Sequence, residues 1–148
     1  MEMEQKVKML QMVYAGALAD SVLRMGREGI LEKVTAEKRE EQMRTGRERA
    51  AQFNIKTPGE VFEKLSETFE CANWKVEQND NGYTAEATRC MLCAMAKRMG
   101  AQSPCKIYCL DAMEAMVKGL DPDMEYIVGG TLWEGSKCTV ELVKHNNL

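Results

Sequence analysis

Six cysteines are the residues of this chain most able to do chemistry, and four of them fall in the stretch CMLCAMAKRMGAQSPCKIYC. If this stretch forms two helices, Cys90 and Cys93 share one helical face and Cys105 and Cys109 share another. Cys138 lies in a strand predicted near the end of the chain, at a position whose side chain faces the core. Five thiols are therefore expected to approach one interior locus.

A metal site is one interpretation of these thiols. C-x2-C followed by C-x3-C approximates the spacing of structural zinc sites, and thiolate clusters also hold iron–sulfur centres. The candidate metal ligands are Cys90, Cys93, Cys105, Cys109 and Cys138. A metal-free core lined by neutral thiols explains the same residues, because free cysteine is among the most buried residue types. The sequence leaves the cofactor open between zinc, an iron–sulfur cluster and none.

Thiol catalysis and dithiol redox chemistry are further interpretations. A C-x2-C pair that opens a helix has a lowered thiol pKa, but a thioredoxin-type pair needs a β-α-β context and a hairpin is expected here. The single histidine, His145, lies close to the end of the sequence, so a Cys-His dyad is not expected. Asp111 and Glu114 are the nearby carboxylates that could act as bases.

The first half of the chain is expected to be helical. Apolar residues from Val7 to Met25 recur at helical spacing, with glycines after them. Residues 31–49 include eleven charged side chains, which suits an exposed helix or a mobile connector. Thr57, Pro58 and Glu60 form a capping box that begins a third helix.

The second half alternates hairpins with helices. Period-2 alternation around the turn NDNG predicts a hairpin over residues 74–88, and a second hairpin is predicted over residues 124–144. Between them, helices are expected over residues 90–99 and from Ser103 and Pro104 to about Gly119. We therefore predict an α+β fold with a four-stranded antiparallel sheet of two hairpins, helices packed on one face, and a helical N-terminal half.

Length and composition bound the class of protein. The 148 residues suit a single domain, with a helical half at 1–70 and a cysteine-bearing half at 71–148. The formal net charge is −3 and basic residues are not clustered, so nucleic acid is not an expected partner. No signal peptide and no membrane helix are expected, which predicts a cytoplasmic protein. The charged helix at residues 31–49 has only a sparse apolar stripe and leaves the first helix partly uncovered, which predicts a homodimer through the helical half.

Three segments carry a resemblance to a known family. They are EATRC at the end of the first hairpin, the YCLD step, and GGTLWEGSKC, with its T-L-x-x-G-x-x-C pattern at Thr131, Leu132, Gly135 and Cys138. In these segments the chain resembles the L-2-amino-thiazoline-4-carboxylic acid hydrolase-like family, over about residues 69–144. The resemblance implies an architecture similar to the 4-vinyl reductase and haem-NO-binding type of small-molecule domain.

The activity implied by this resemblance is hydrolytic opening of a thiazoline ring. Cys90 or Cys138, as a thiolate, or a metal-bound water would attack the amidine-like carbon, and Asp111 would handle the proton. Arg89 and Thr131 are the expected substrate-binding residues. A cysteine-ligated metal or iron–sulfur domain and a non-catalytic small-molecule binding module remain the alternatives.

Overall fold

The computed structural model describes residues 1–145 as five α-helices and four strands. A short π-helical segment runs directly into the last helix. In chain order the elements are α1 (Met3–Arg27), α2 (Leu31–Gln52), α3 (Glu60–Phe69), β1 (Lys75–Asn79), β2 (Gly82–Ala87), α4 (Met91–Met99), the π-helical segment (Lys106–Leu110), α5 (Asp111–Leu120), β3 (Met124–Gly130) and β4 (Cys138–Lys144).

The four strands form one antiparallel sheet in the order β1-β2-β4-β3. Both hairpins lie where the alternation of side chains places them, β1 with β2 and β3 with β4. The two hairpins join through β2 and β4, where Ala85 lies opposite Val140 and Ala87 lies opposite Cys138. The predicted fold class, an α+β protein with a helical N-terminal half, is confirmed.

One face of the sheet builds the main core. Its small and branched residues, such as Ala85, Ala87 and Val140, are inaccessible to solvent, while Glu86 and Glu141 on the opposite face are exposed. Helices α3 and α5 cover the buried face, and Phe62 packs against Trp74 with ring centroids 5.1 Å apart. Burying this apolar surface is the main stabilising contribution to the fold.

The charged segment at residues 31–49 is part of the long helix α2, which packs along α5. Its buried face is a narrow stripe of small residues, Thr35, Gly46 and Ala50. A Cβ atom on Gly46 would lie 2.0 Å from the carbonyl oxygen of Ala115, and one on Gly119 would lie 2.5 Å from the backbone nitrogen of Arg47. Close approach of two backbones therefore lets a mostly charged helix pack with little apolar surface.

Helix α1 leaves its first half uncovered. Its buried residues are Ala15, Ala19 and Val22, and a second small apolar cluster joins its later turns to α4. The uncovered apolar side chains are Met3, Val7, Met9, Leu10, Met12, Val13 and Tyr14. The predicted homodimer would use this surface, and it stays a prediction, as does the single-domain organisation. Within residues 1–145 no helix combines the length and apolarity that a membrane crossing needs.

Candidate functional site

The candidate site is built around the first turn of α4. Cys90 is the N-cap of this helix, in an extended backbone conformation, and its sulfur accepts a hydrogen bond from the N–H of Cys93 at 3.5 Å. The segment before β1 pairs with the same turn, because the N–H of Met91 donates to the carbonyl of Cys71 at 2.8 Å. The sulfur of Cys71 accepts the N–H of Leu92 at 3.3 Å. Two sulfurs thus share one helix N-terminus.

Four thiols form two close pairs at this end of α4. The sulfurs of Cys71 and Cys90 are 3.9 Å apart, and those of Cys93 and Cys105 are 3.4 Å apart. In each pair one thiol can donate its proton to a sulfur that is ionised. Cys71 and Cys93 suit the donor role and Cys90 and Cys105 the thiolate role.

Hydrogen bonds give the thiols different acidities. The hydrogen bond from Cys71 and then the thiol of Cys93 lower the pKa of Cys90 to about 3, and the N–H groups of α4 add to this effect against the opposing effect of burial. The same contact with Cys90, together with burial, raises the pKa of Cys71. The hydrogen bond from Cys93 lowers the pKa of Cys105 to about 7. These contacts favour the thiolate form of Cys90 and the protonated form of Cys71 beside it.

An open pocket adjoins this turn. It has a volume of about 470 Å³ and is lined by Ser66, Glu70, Cys71, Ala72, Asn73, Arg89, Cys90, Met91 and Ala94. Asn73 fixes the local backbone, because its side-chain oxygen accepts the N–H groups of Thr88 and Arg89. The lining of this pocket thus includes a cationic residue, Arg89, as well as Cys90.

A second pocket, the helical cleft, lies between α1, α2, α3 and α5. It has a volume of about 170 Å³ and a mostly apolar lining. The lining includes aromatic and thioether side chains, the cationic residues Lys38 and Arg49, and Gln42, whose side-chain oxygen is buried without a hydrogen-bond partner. Ser66, Cys71, Ala72 and Cys90 line both pockets.

The remaining candidate thiols are neutral and lie apart from the open pocket. Cys109 lines the helical cleft, where burial raises its pKa. Cys138 is buried in β4, where burial again raises the pKa, and its sulfur accepts the N–H of Leu132 at 3.1 Å. Cys138 lines neither pocket. Of the two expected nucleophiles, only Cys90 has both a lowered pKa and access to a pocket.

Asp111 lies in an ion-pair cluster between α2 and α5, away from both pockets. Its side chain is 4 % exposed, and its carboxylate accepts hydrogen bonds from Arg39 at 2.9 Å and from Lys106 at 3.0 Å. Arg39 also holds Glu114 at 2.8 Å. This position suits a structural link between two helices, and the expected role of Asp111 in moving the proton of substrate stays a prediction.

The two expected substrate-binding residues lie in different places. Arg89 lines the open pocket beside Cys90. Thr131 is half-buried in the turn after β3, and its side chain makes the smallest of the contributions that lower the pKa of Cys105. Arg89 thus remains a candidate for substrate binding, whereas Thr131 supports the second thiol pair.

Of the five cysteines expected as metal ligands, Cys90, Cys93 and Cys105 lie together at the start of α4, whereas Cys109 lines the helical cleft and Cys138 lies in β4. Within residues 1–145 no three side chains of histidine, cysteine, aspartate or glutamate are placed to hold one ion. The thiols are instead distributed between the α4 pairs, the helical cleft and β4. The metal set of Cys90, Cys93, Cys105, Cys109 and Cys138 stays a prediction.

Cys71 is the candidate site residue that the spacing of cysteines did not reveal. It lies outside the twenty-residue stretch and precedes β1 by a short extended segment. Only the antiparallel pairing of Ala72 with Cys90 brings it to α4. Its one local signal is its place at the end of α3, after Glu70 in a left-handed conformation.

Comparison with known proteins shows the family of this chain. The sequence profile of the L-2-amino-thiazoline-4-carboxylic acid hydrolase family matches residues 5–140. No curated protein and no solved structure matches the chain. The chain therefore belongs to the L-2-amino-thiazoline-4-carboxylic acid hydrolase family, as its T-L-x-x-G-x-x-C segment suggested.

Proposed function

We propose that this family member hydrolyses a small thiazoline-type ring in the open pocket, with Cys90 as the nucleophile. One observation carries the proposal. Cys90 is at once an N-cap thiolate and a wall residue of a pocket that also contains Arg89. A lowered pKa makes a thiol reactive at neutral pH, and a nearby cation binds a carboxylate.

The reaction has two halves. The Cys90 thiolate attacks C2 of the ring, between nitrogen and sulfur, and the bond from C2 to the ring sulfur then breaks. The ring sulfur leaves as a thiol and takes one proton. Water then adds to the same carbon, with one of its protons going to the ring nitrogen and the other returning to the acid that protonated the ring sulfur, and the Cys90 thiolate is expelled, which leaves a carbamoyl group on nitrogen. The net change is the addition of one water molecule across the C–S bond, without oxidation or reduction.

Cys71 is the proposed proton donor for the leaving sulfur. Its raised pKa keeps it protonated at neutral pH, and its sulfur lies 3.9 Å from that of Cys90. A general acid must lie close to the atom that receives its proton. This role replaces the one that the sequence assigned to Asp111.

Arg89 is the proposed partner of the substrate carboxylate. Its backbone is held by Asn73, and it belongs to the lining of the same pocket as Cys90. Because this side chain is exposed to water, its hydrogen bond to the substrate carboxylate is expected to contribute less binding free energy than a buried charge-assisted hydrogen bond would.

A non-catalytic binding module is the second candidate function. The helical cleft favours it, because an apolar pocket of this kind can hold a small ligand without any reaction. Turnover separates the two functions.

The test is an assay of L-2-aminothiazoline-4-carboxylate hydrolysis, in which the thiol released by ring opening is measured. We expect Cys90→Ser to lower kcat at least about 1,000-fold, as loss of a nucleophile does in other enzymes. Arg89→Gln should raise KM about tenfold while kcat changes little. Cys138→Ser is the matched control, because this buried thiol lines neither pocket. Full activity in Cys90→Ser would contradict the proposal.

A further inference from the structure

Two free thiols, Cys71 and Cys90, lie side by side in the lining of the open pocket. Their sulfurs are 3.9 Å apart, and both residues are half-buried. They come from different segments of the chain, one after α3 and the other at the start of α4. A disulfide bond has an S–S distance of about 2.05 Å, so each sulfur has to move by only about 1 Å to form one.

The backbone holds these two sulfurs together. The N–H of Met91 donates to the carbonyl of Cys71 at 2.8 Å, and the N–H of Leu92 donates to the Cys71 sulfur at 3.3 Å. Ala72 also pairs with Cys90 as an antiparallel bridge. Because the two segments are joined before any oxidation, closing a disulfide requires rotation of side chains only and little further loss of conformational entropy.

Cys93 and Cys105 form a closer pair of thiols, with sulfurs 3.4 Å apart. These residues are only 5 % and 8 % exposed, and they line neither the open pocket nor the helical cleft. An oxidant has to reach a sulfur before it can react with it, so exposure decides which thiols are oxidised. Access to the pocket therefore favours the pair of Cys71 and Cys90 over the closer pair.

Cys90 is the thiol of this pair that is set up to react first. It is the N-cap of α4, and its sulfur accepts the N–H of Cys93 at 3.5 Å. The helix N-terminus and this hydrogen bond stabilise negative charge on the sulfur, and the thiolate is the form that a peroxide oxidises. Cys71 then lies close enough to supply the second sulfur.

We propose that Cys71 and Cys90 are a site of reversible oxidation, at which a hydroperoxide converts the two thiols into a disulfide. The Cys90 thiolate attacks one oxygen of the peroxide and the O–O bond breaks. Cys90 becomes a sulfenic acid, and the leaving oxygen takes a proton from solvent. The Cys71 sulfur then attacks the Cys90 sulfur, the S–O bond breaks, and the hydroxide leaves as water with the proton of Cys71. Two thiols are oxidised and one peroxide is reduced, and a small thiol reverses the change by disulfide exchange.

The experiment treats the reduced protein with hydrogen peroxide and maps its disulfides after non-reducing digestion with trypsin. Cys71 falls in peptide 65–75, and Cys90 falls with Cys93 in peptide 90–97. We expect these peptides to be linked through Cys71 and Cys90, and to separate after treatment with dithiothreitol. A disulfide within peptide 90–97, or a link from it to peptide 99–106, which contains Cys105, would overturn the inference if Cys71 stayed reduced.

The matched comparison is made in the Cys93→Ala protein, which lacks the other thiol near Cys90 on α4 and should still form the link. Adding Cys71→Ser keeps a hydrogen-bond donor beside Cys90 but removes the second sulfur. We expect loss of the link and accumulation of a sulfenic acid on Cys90, which dimedone traps. Further peroxide should convert it into a sulfinic acid that dithiothreitol does not reduce. Equal dimedone labelling of Cys90 with and without Cys71 would overturn the inference.

The disulfide would also stop the hydrolysis proposed above, and this consequence rests on the proposed function. It occupies the sulfur of the nucleophile Cys90, so activity should fall in step with the link and return with dithiothreitol. The disulfide map is measured without substrate, so the two claims fail separately. Full hydrolysis by completely linked protein would contradict Cys90 as the nucleophile and leave the oxidation site standing. Absence of the link after peroxide treatment, with Cys71 and Cys90 still free, would overturn the oxidation site and leave the proposed function standing.

Discussion

Replacing Cys71 by alanine should raise the pKa of the Cys90 thiol. The contact between the two sulfurs, 3.9 Å, is the largest of the effects that hold the pKa of Cys90 low. Alanine removes the S–H donor and leaves the hydrogen bond from the N–H of Cys93 to the Cys90 sulfur in place. The thiolate would then lose one of its hydrogen bonds and keep the field of the helix terminus.

The size of the effect follows from the strength of that hydrogen bond. A hydrogen bond to a charged group contributes about 1.5–3 kcal/mol, and one pKa unit corresponds to about 1.4 kcal/mol. Because a thiol is a weak donor and both cysteines are only partly buried, the lower end applies. We therefore expect the pKa of Cys90 to rise by about one unit in Cys71→Ala.

The assay is alkylation of Cys90 by iodoacetamide as a function of pH. Trypsin cleaves after Arg89, so mass spectrometry of the peptide from Cys90 to Lys97 reports this thiol, with fragmentation separating it from Cys93. Cys71→Ser should keep the wild-type profile because the hydroxyl is still a donor. Cys109→Ala serves as a second control. An identical pH midpoint in Cys71→Ala and in the wild type would refute the reasoning.

Three further predictions concern stability and are checked by denaturant unfolding. Gly46→Ala should lower the free energy of unfolding by about 1–3 kcal/mol, because the added methyl group would meet the Ala115 carbonyl. Gly16→Ala should raise it by about 0.5–1 kcal/mol, because alanine favours the helix α1 and the added methyl group meets nothing within 4 Å. Equal effects would contradict the close packing of α2 on α5. Arg39→Met should lower the free energy of unfolding by about 1–3 kcal/mol, since it leaves two carboxylates on α5 without their shared partner. An unchanged denaturant midpoint would argue against the ion-pair cluster. Gln42→Leu should raise the free energy of unfolding by about 1 kcal/mol, because it removes a buried side-chain oxygen that has no hydrogen-bond partner. A lower free energy of unfolding would show that this oxygen does have a hydrogen-bond partner.

The fold was predictable where one periodicity dominated. The alternation around Trp74 to Ala87 identifies the first hairpin, because burying one face fixes the register. The π-helical segment at Lys106–Leu110 has no distinguishing pattern in the sequence, since its side chains fit a regular α-helix equally well. The packing of α2 was also hidden, because it depends on the fit of Gly46 and Gly119 to a neighbouring backbone and not on an apolar stripe.

The candidate site was predictable only in part, for reasons of distance along the chain. Cys90 could be placed at a helix start from local spacing, and that position alone indicates a lowered pKa. Its partner Cys71 comes from another segment, through the pairing of Ala72 with Cys90. The side chain of Cys138 lies on the buried face of the sheet, as expected from its position in the strand. That face packs into the core beneath α5 and does not reach the open pocket.

The central claim is that Cys90 forms a covalent bond with C2 of the substrate ring. Rapid quenching of the protein during turnover of a thiazoline-4-carboxylate, followed by mass spectrometry of the peptide from Cys90 to Lys97, tests it most directly. The account predicts a mass increase equal to one substrate molecule on Cys90, absent from the Cys90→Ser protein. Turnover in the Cys90→Ser protein at the wild-type rate, or an adduct on another cysteine, would contradict it.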